Sequence, residues 1–523
     1  MSDLKIKGSS PSTTVGESQD VYDLQQLGYN PEMRRNRNTM TLLFQSLAIA
    51  AIPYGFGSPL ITAIYGGAPR STSPENTHRE IGQLSMFLGW VVVCILGECV
   101  ALSLAELASV YPTSGGVYYW TYQLASPKTR TGLSFFTGWI WLIGNWTITL
   151  SVNFGLASLI AATVALYHPE YVMDAWQLLV IFYGICIATF IIAAFCNDFL
   201  PAIDTLCAAF TLVSIIATLI CVAVKAGAGR HSPADTLGYF DPTLSGWGNF
   251  SFFIGMLPCA YTFSAVGMIT SMAEECGNAR VKLPRALALA IPVGGIAGLF
   301  FVIPLCATLP DLNDIIENSA AAQSLPYIFA RVMGSPNGGM ALTLLILIIN
   351  VFCSISITVA ASRCTWAFAR DHALPFSGIW SRVNQRYGVP IWALTLTTIV
   401  QMLLGLVNLG SSSAFVAFVS VGVIALAASY AIPIVISLLS GREQVNKAVW
   451  KMPPNVGWVI NIIAVLWILF EIVLFCFPTT LPVTAVSMSY ASVVFIGLWG
   501  LSAVWYGVHA RKVFKGPPES TGI

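Results

Sequence analysis

Four residues in an apolar run raise the first chemical question. In AIPYGFGSPLITAIYGG (51–67), Pro53, Gly55, Gly57 and Pro59 interrupt a stretch long and greasy enough to lie in a bilayer. Proline removes a helical hydrogen bond, and glycine adopts dihedrals that other residues avoid. Pro59 then suits the first turn of a second half-helix. An exposed backbone group in lipid costs several kcal/mol, so an unwound segment survives only where it lines a cavity or is buried in protein. The spacing Pro-x-Gly-x-Gly-x-Pro therefore predicts a broken helix with ligand-facing backbone, a single kink being the simpler alternative.

A second run carries the same signal. FFIGMLPCAYTFSAVGMITSMAEE (252–275) holds Pro258 and Gly267, with Thr262, Phe263 and Ser264 between them. Two interrupted segments at corresponding places in two halves point to inverted repeats with a solute site between them at the bilayer midplane.

Few other polar residues reach membrane depth. Asn145, Trp146 and Thr149 lie in one span, and Asn350, Ser354 and Ser356 in another. Each could touch a solute or simply bond a neighbouring helix. Tyr54, Phe56, Trp146, Tyr261 and Phe263 could form an aromatic box for a quaternary amine. Glu98 is an acid in an apolar run, 8 residues before Glu106, and an acid at that depth is a functional candidate by default. It could carry a proton or pair with an arginine. Glu274 and Glu275 close the second interrupted run, where the helix dipole disfavours anions. Pairing with Arg280, Lys282, Arg285 or Arg363 would relieve that cost and could form a gate.

The elements that position these residues follow from composition. Of 523 residues, 56% are hydrophobic and 9% charged, with mean hydropathy +0.74. A soluble chain would be about one quarter charged, so this is an all-α polytopic membrane protein. Net charge +1 excludes a nucleic-acid binder built on a basic field. The twelve cysteines lie within or at the ends of apolar runs and read as core residues rather than metal ligands or disulfides. No cleavable signal peptide is visible in the polar first 40 residues.

With about 20 apolar residues per span, twelve spans fit, near 41–64, 81–107, 132–164, 175–196, 200–224, 247–273, 286–309, 338–368, 390–408, 412–440, 455–477 and 484–508. Residues 1–40 and 509–523 are expected as cytosolic tails, with flexible sequence over 1–38 and 512–523, around a transporter domain over 41–508. Lysine and arginine mark the cytosolic side. With the N-terminus inside, 20 of the 25 basic residues fall inside, leaving Arg70, Arg79, Lys225, Arg230 and Arg331 outside. Spans 1 and 6 are the broken ones, so spans 1–5 and 6–10 would be the repeats.

Further segments carry a family resemblance. AELASVYPTSGGVYYWTYQLA (105–125) and SMAEECGNARVKLPRALALAIP (271–292) resemble amino acid–polyamine–organocation transporters. With IPYGFGSPLITAIYGG and RDHALPFSGIWSRVNQRYGVPIWAL (370–394), the chain is most similar to fungal amino acid/choline permeases. The resemblance covers 40–510 and implies a LeuT-type inverted-repeat fold with discontinuous helices 1 and 6, and secondary active transport. In such relatives the break in span 1 binds a substrate carboxylate through amides, here those of Gly55, Phe56, Gly57 and Ser58. Carbonyls near Phe263, Ser264 and Ala265 would face the amine.

The expected function is a plasma-membrane permease, a symporter of an amino acid or 4-aminobutyrate working by alternating access. Choline, or an amino-acid-derived secondary metabolite, are the rival substrates. A proton is the expected partner ion, although span 5 offers only Asp204 and no lysine before Lys225. A polyamine would want an acid inside a break, and neither break has one. A nutrient receptor with little flux would call for a longer tail. No GxSxG, HExxH or P-loop is present and all five histidines fall in loops or tails, so no enzyme, cofactor or metal centre is expected.

Overall fold

The computed structural model describes residues 11–65, 84–232, 236, 245–410, 412–484 and 488–521. Arg70 and Arg79, the start of the expected second span and the outermost tail residues lie outside these. Twelve helices among the described residues are long and apolar enough to cross a membrane. They are span 1, Thr39–Gly57; span 2, Leu84–Val110; span 3, Arg130–Ala165; span 4, Ala175–Phe195; span 5, Asn197–Lys225; and span 6, Gly248–Glu275. Span 7 is Ala279–Ala307; span 8, Pro336–Arg370; span 9, Ile391–Gly410; span 10, Ser420–Leu439; span 11, Pro454–Phe475; and span 12, Ala491–Val513. No strand forms among the described residues.

Several boundaries differ from the sequence expectation, span 7 beginning at Ala279 rather than 286 and span 10 at Ser420, within a helix that starts at the expected Ser412. Span 1 stops at Gly57 rather than 64, because Ser58 and Pro59 separate it from a short helix, Leu60–Tyr65. Span 12 starts at Ala491 rather than 484; Pro478 and Pro482 hold the preceding described stretch out of helix.

Spans 3 and 6 are 78% buried while span 12 is 11% buried, which separates an inner bundle from a lipid-facing periphery. Leucine, isoleucine and valine side chains such as Ile95, Val213, Ile296, Leu466 and Ile496 stand exposed on the outer surfaces. Between helices in lipid the hydrophobic effect supplies little, so close packing over small residues does the joining. Gly144 of span 3 faces the Leu426 backbone, and Gly422 of span 10 faces the Ile148 backbone, with only 2.9 and 2.8 Å left for any added Cβ. The two backbones touch through this reciprocal pair. On spans 2 and 7 the Trp90 indole lies across Gly298 and donates to the Gly295 carbonyl at 2.9 Å.

Both termini share one face, here called the terminal face. The Thr521 amide bonds the Gln26 carbonyl at 2.9 Å, and Glu519 pairs with Arg130. The tail segments expected to be flexible are thus packed over much of their described length. Tyr29 and Tyr118 donate to Asp371 Oδ2 at 2.8 and 2.7 Å, and the Arg370 guanidinium stacks 3.7 Å from the Tyr29 ring centre. Aromatic bulk and hydroxyls dock what charge and glycine content alone suggested would hang free.

Glu106 also belongs to this scaffold. Its carboxylate takes Arg442 Nη2 at 2.6 and 2.7 Å and the Met452 amide at 2.9 Å, tying span 2 to the span 10–11 connection. The guanidinium lies flat on Gly457, where a Cβ would sit 2.0 Å from Nη1. Glu106, expected as a coupling or gating acid, stands here in a structural lock away from the breaks. Arg442→Met should lower unfolding stability by roughly 3–5 kcal/mol by stranding a buried carboxylate. Adding Glu106→Gln should recover part of that loss in thermal unfolding of solubilised protein; additive losses would refute the pair.

Candidate functional site

The break in span 1 falls at Ala51, two residues before Pro53. The helix Thr39–Ala50 is capped by Asn38 and ends at Ala51, whose φ of 40° is left-handed; the helix Ile52–Gly57 follows. Proline explains the position. Pro53 has no N–H for the carbonyl four residues earlier, Ile49, so the ladder fails N-terminal to the proline. The Cys353 thiol of span 8 bonds that Ile49 carbonyl instead, at 3.1 Å. An otherwise unpaired carbonyl in the bundle is thereby satisfied from the side.

This shifts the expected site. The Gly55 amide is used by the Ala51 carbonyl at 2.8 Å, and the Ser58 amide by the Tyr54 carbonyl at 2.7 Å. Phe56 and Gly57 lie within the helical turn. The four amides assigned to a carboxylate are therefore not presented to a cavity. Gly55 serves as a close-approach point: an added Cβ would stand 2.5 Å from the Ala50 carbonyl and 3.1 Å from Thr262 Cγ2 of span 6. Gly57 packs under Leu325, and Ser58 Oγ accepts from Gln323 Nε2 at 3.0 Å. Both residues hold the segment before span 8 over the far face.

Span 6 breaks by changing pitch. Helix Leu257–Phe263 gives way at Ser264 and Ala265 to a 3-10 helix over Val266–Glu275. Runs of this tighter helix beyond 3–4 residues are uncommon and often mark a hinge. The Ala265 carbonyl is taken by the Met268 amide at 2.9 Å, so it is not free for an amine as expected.

The two breaks meet around small cavities. One, of about 10 Å³, lies between spans 1, 3, 6 and 8 and is lined by Tyr54, Gly55, Tyr261, Ser264, Ala265 and Cys353 among others. A second of about 10 Å³ has Ser46, Ala50, Thr262 and Phe263 on its walls. A third, of about 30 Å³, runs from Phe263 and Ser264 toward spans 2, 10 and 11 and ends at Glu471. These are far below the roughly 300 Å³ of the smallest usual ligand pockets. The spans must part before a solute can enter.

The structure brings some predicted residues together and scatters others. Tyr54 and Tyr261 share one cavity; the Tyr54 hydroxyl reaches the Val152 carbonyl at 3.5 Å and Tyr261 meets Ser151 at 2.7 Å. Phe263 borders two cavities, but Phe56 turns away to pack edge-on against Trp90, 5.8 Å between ring centres. Trp146 lies on the opposite side of span 3, bonded to Thr365 at 2.9 Å in an outer groove with Trp139 and Trp505. The five-ring aromatic box does not form, because helical spacing aims these rings in different directions. Asn145 bonds the Trp141 carbonyl and lines none of the three cavities. Asn350 is fully buried beside the Tyr54 hydroxyl, and neither of its amide atoms makes a hydrogen bond of normal geometry. Glu98, half-buried, shares its helix face with Cys94 and borders none of these cavities.

On the terminal face the breaks are closed by a buried ion network. Glu275 accepts from Arg363 Nε at 2.9 Å and Arg37 Nε at 3.3 Å. Arg37 also pairs with Asp204 at 3.0 Å, Asp204 accepts from Ser356 at 2.7 Å, and Arg363 bonds Asn197 at 2.7 Å. All six residues are buried. The backbone joins in: the Arg37 amide donates to the Glu275 carbonyl at 3.0 Å. Next to it Glu274 takes Arg370 through two contacts of 2.9 Å. The expected pairing of Glu275 with Arg363 is present. Arg285 is exposed and plays no part, since it projects from the outer side of span 7; Arg280 pairs with Asp23 at 3.5 Å instead.

Sequence reasoning missed Arg37, filed among tail charges, although it stands one residue before the Asn38 cap. It also missed Glu471, an acid inside WILFEIVLF that the rule applied to Glu98 would have flagged. Among the described residues no group of three or more His, Cys, Asp or Glu side chains could hold a metal.

Removing Arg37 or Arg363 should loosen this closure. In Arg37→Ala membranes, labelling of Cys353 by an impermeant maleimide from the terminal side should rise roughly tenfold or more, given the 3–5 kcal/mol that a broken buried pair costs. Mass spectrometry of the Cys353 peptide measures it, and unchanged labelling in both variants would contradict a sealing role.

The family described as amino acid permease matches residues 44–499. The chain is 32% identical to an uncharacterized amino-acid permease of Schizosaccharomyces pombe, covering 99% of this chain and 93% of the relative. It is 27% identical to a choline transporter of Saccharomyces cerevisiae over 93% of this chain and 84% of that one. Identity to a polyamine transporter of the same yeast is 30%, over 79% and 68% of the two chains.

Proposed function

The chain belongs to the amino acid permease family, and from that premise we propose that it carries a small amine-bearing solute across a membrane by alternating access. An amino acid or 4-aminobutyrate is the preferred substrate, moved with a proton. The observation that carries this reading is the meeting of two interrupted spans, 1 and 6, at cavities closed on both faces. Buried backbone irregularity at mid-membrane belongs where a solute is handled.

The cycle follows from the two closures. On the far face, Ser58 and Gly57 hold the Gln323–Leu325 segment over the half-helix Ile52–Gly57. On the terminal face, Arg37 and Arg363 clamp Glu275. Opening one closure while the other holds exposes the breaks to one side at a time. The five-span offset of the breaks supports a LeuT-type 5+5 inverted repeat as the frame for this motion. The basic-residue asymmetry supports a cytosolic terminal face, with the plasma membrane as the proposed location.

Within the site, Tyr54, Tyr261, Ser264 and Asn350 are the groups best placed to contact a solute once the spans part. Scattering of Phe56 and Trp146 away from Tyr54 and Tyr261 favours a zwitterion over choline, since a quaternary amine needs several rings on one cavity.

Uptake by a transport-deficient yeast expressing the chain, against labelled amino acids, 4-aminobutyrate, choline and polyamines, tests the reading. Saturable uptake of an amino acid or 4-aminobutyrate is expected, rising as the medium is acidified. Gly55→Leu should cut that uptake about 10- to 100-fold at normal surface expression, because overpacking at the contact of spans 1 and 6 costs about 1–3 kcal/mol. Uptake restricted to choline would overturn the substrate class. Wild-type uptake by Gly55→Leu would separate the breaks from transport.

A further inference from the structure

Glu471 lies within span 11, Pro454–Phe475, with an apolar residue on either side in sequence and 7% of its surface exposed. None of the ion pairs among the described residues includes it. It closes one end of the cavity of about 30 Å³ whose other walls include Phe263 and Ser264 of span 6, Gly97 of span 2 and Tyr430 of span 10. The Tyr430 hydroxyl is a second, independent signal on the same wall. Tyr430 is 2% exposed, and its hydroxyl stands beside the Gly267 backbone with no hydrogen bond of normal geometry. Two buried polar groups aimed into one apolar space are an arrangement that calls for an occupant.

The size of the space identifies the class of occupant. About 10–15 Å³ of such volume accommodates one water, so this cavity suits water and protons and not an organic solute. A metal cation would need more oxygen ligands than one carboxylate and two hydroxyls supply. An ionised carboxylate in these surroundings, with no cation beside it, is costly. The neutral acid is the form the closed cavity accepts.

The faces around Glu471 carry little competing charge. Span 10 contributes Tyr430, with the Cys364 thiol of span 8 behind it. Span 2 contributes Gly97 and Val100 to the wall; its acid Glu98 lies on the Cys94 face, and Glu106 is committed to Arg442. On span 6 the acids are Glu274 and Glu275, held by Arg370, and by Arg363 and Arg37. No lysine, arginine or histidine lines the cavity.

We propose that Glu471 is the proton-carrying acid of the transport cycle, closed in here against the span 6 break and opened to solution when span 6 moves. An O–H bond forms at the carboxylate as a hydronium ion becomes water, and it breaks to water on the other side. No electrons are exchanged. Tyr430 supplies the link to the moving part. Its ring fills the space beside Gly267, where an added Cβ would lie 2.6 Å from Cε1, inside the 3-10 segment. Any rewinding of Val266–Glu275 therefore changes the volume around Tyr430 and Glu471 together. Protonation and the state of the break are then coupled through a shared wall, which is what linked binding requires.

This inference rests on the transport reading, and the test keeps the two apart. Purified protein in pyranine-loaded proteoliposomes reports proton entry; labelled substrate from the uptake panel reports both counterflow and accumulation against a gradient. Glu471→Gln, in protein that elutes from a sizing column as wild type does, should retain counterflow. It should lose proton entry, and its pH-driven accumulation should fall roughly tenfold or more, a coupling of usual size. Tyr430→Phe should keep counterflow and shift the pH dependence of accumulation. Infrared difference spectra of wild type minus Glu471→Gln should contain a protonated carboxyl band at neutral pH, without any substrate present. Undiminished pH-driven accumulation by Glu471→Gln, loss of its counterflow, or absence of that band would each overturn the assignment. No uptake of any solute by wild type would instead remove the transport reading.

Discussion

One carboxylate holds together the buried ion network beneath the breaks on the terminal face. Glu275 ends span 6, and its two oxygens receive arginines from opposite directions: Arg37, which leads into span 1, and Arg363 of span 8. Arg37 extends the link to Asp204 of span 5, and Arg363 to Asn197 at the start of that span. Four spans are thereby fixed at one point. The desolvation penalty of a buried ion pair nearly cancels its attraction, so intact pairs add little net stability while a half-broken one is strongly unfavourable. That combination suits a gate. With water admitted, all the charges regain hydration together and the open state is not prohibitively high. With water excluded, they must pair completely. Partly broken arrangements are penalised, so the network favours complete pairing.

The breaks obey a complementary rule, that backbone groups in the bundle find partners from any direction available. Cys353 bonds the Ile49 carbonyl that Pro53 leaves free. At Ser264 and Ala265 the chain tightens into a 3-10 helix, so the carbonyls are reused by nearer amides. Neither break is a loop. Each is the smallest change that re-satisfies the ladder, and each leaves the hinge next to a residue with no bulk or no competing bond. This is why the cavities between them are so small in the closed bundle.

That economy also explains how far the sequence could be read. The number of spans, and the identity of the two broken ones, were legible because proline and glycine in apolar runs have few other uses. The Glu275–Arg363 pair was legible as one of several options, since a carboxylate at a helix C-terminus must find a cation. The exact register was harder. Pro53 and Gly55 mark where the donor is missing and where helices approach, while the ladder itself turns at Ala51, whose amide still bonds the Leu47 carbonyl before the Ile49 carbonyl is left to Cys353. The spread of Phe56 and Trp146 follows from helix rotation, which no single residue encodes. Arg37 and Arg285 are equally basic in sequence; only docking of the segment before span 1, through the Arg37 and Glu275 backbone bond, selects the first.

The two ends of the break in span 1 answer to different faces, and this limits how it can move. Thr39–Ala50 is anchored through Arg37 to the terminal-face network, while Ile52–Gly57 is anchored through Ser58 to Gln323. Between them stands one left-handed residue, Ala51, with a proline in the first turn of the second half, so the halves are joined by hydrogen bonds to Ala51 rather than by a continuous ladder. A rigid helix would transmit release of one anchor straight to the other and open both faces together. A hinge at Ala51 lets one half swing while the other keeps its anchor. The penalty for a discontinuous helix in a membrane is thus offset by something a straight helix lacks, two independent closures on one span, and independence of closures is the minimum that alternating access demands.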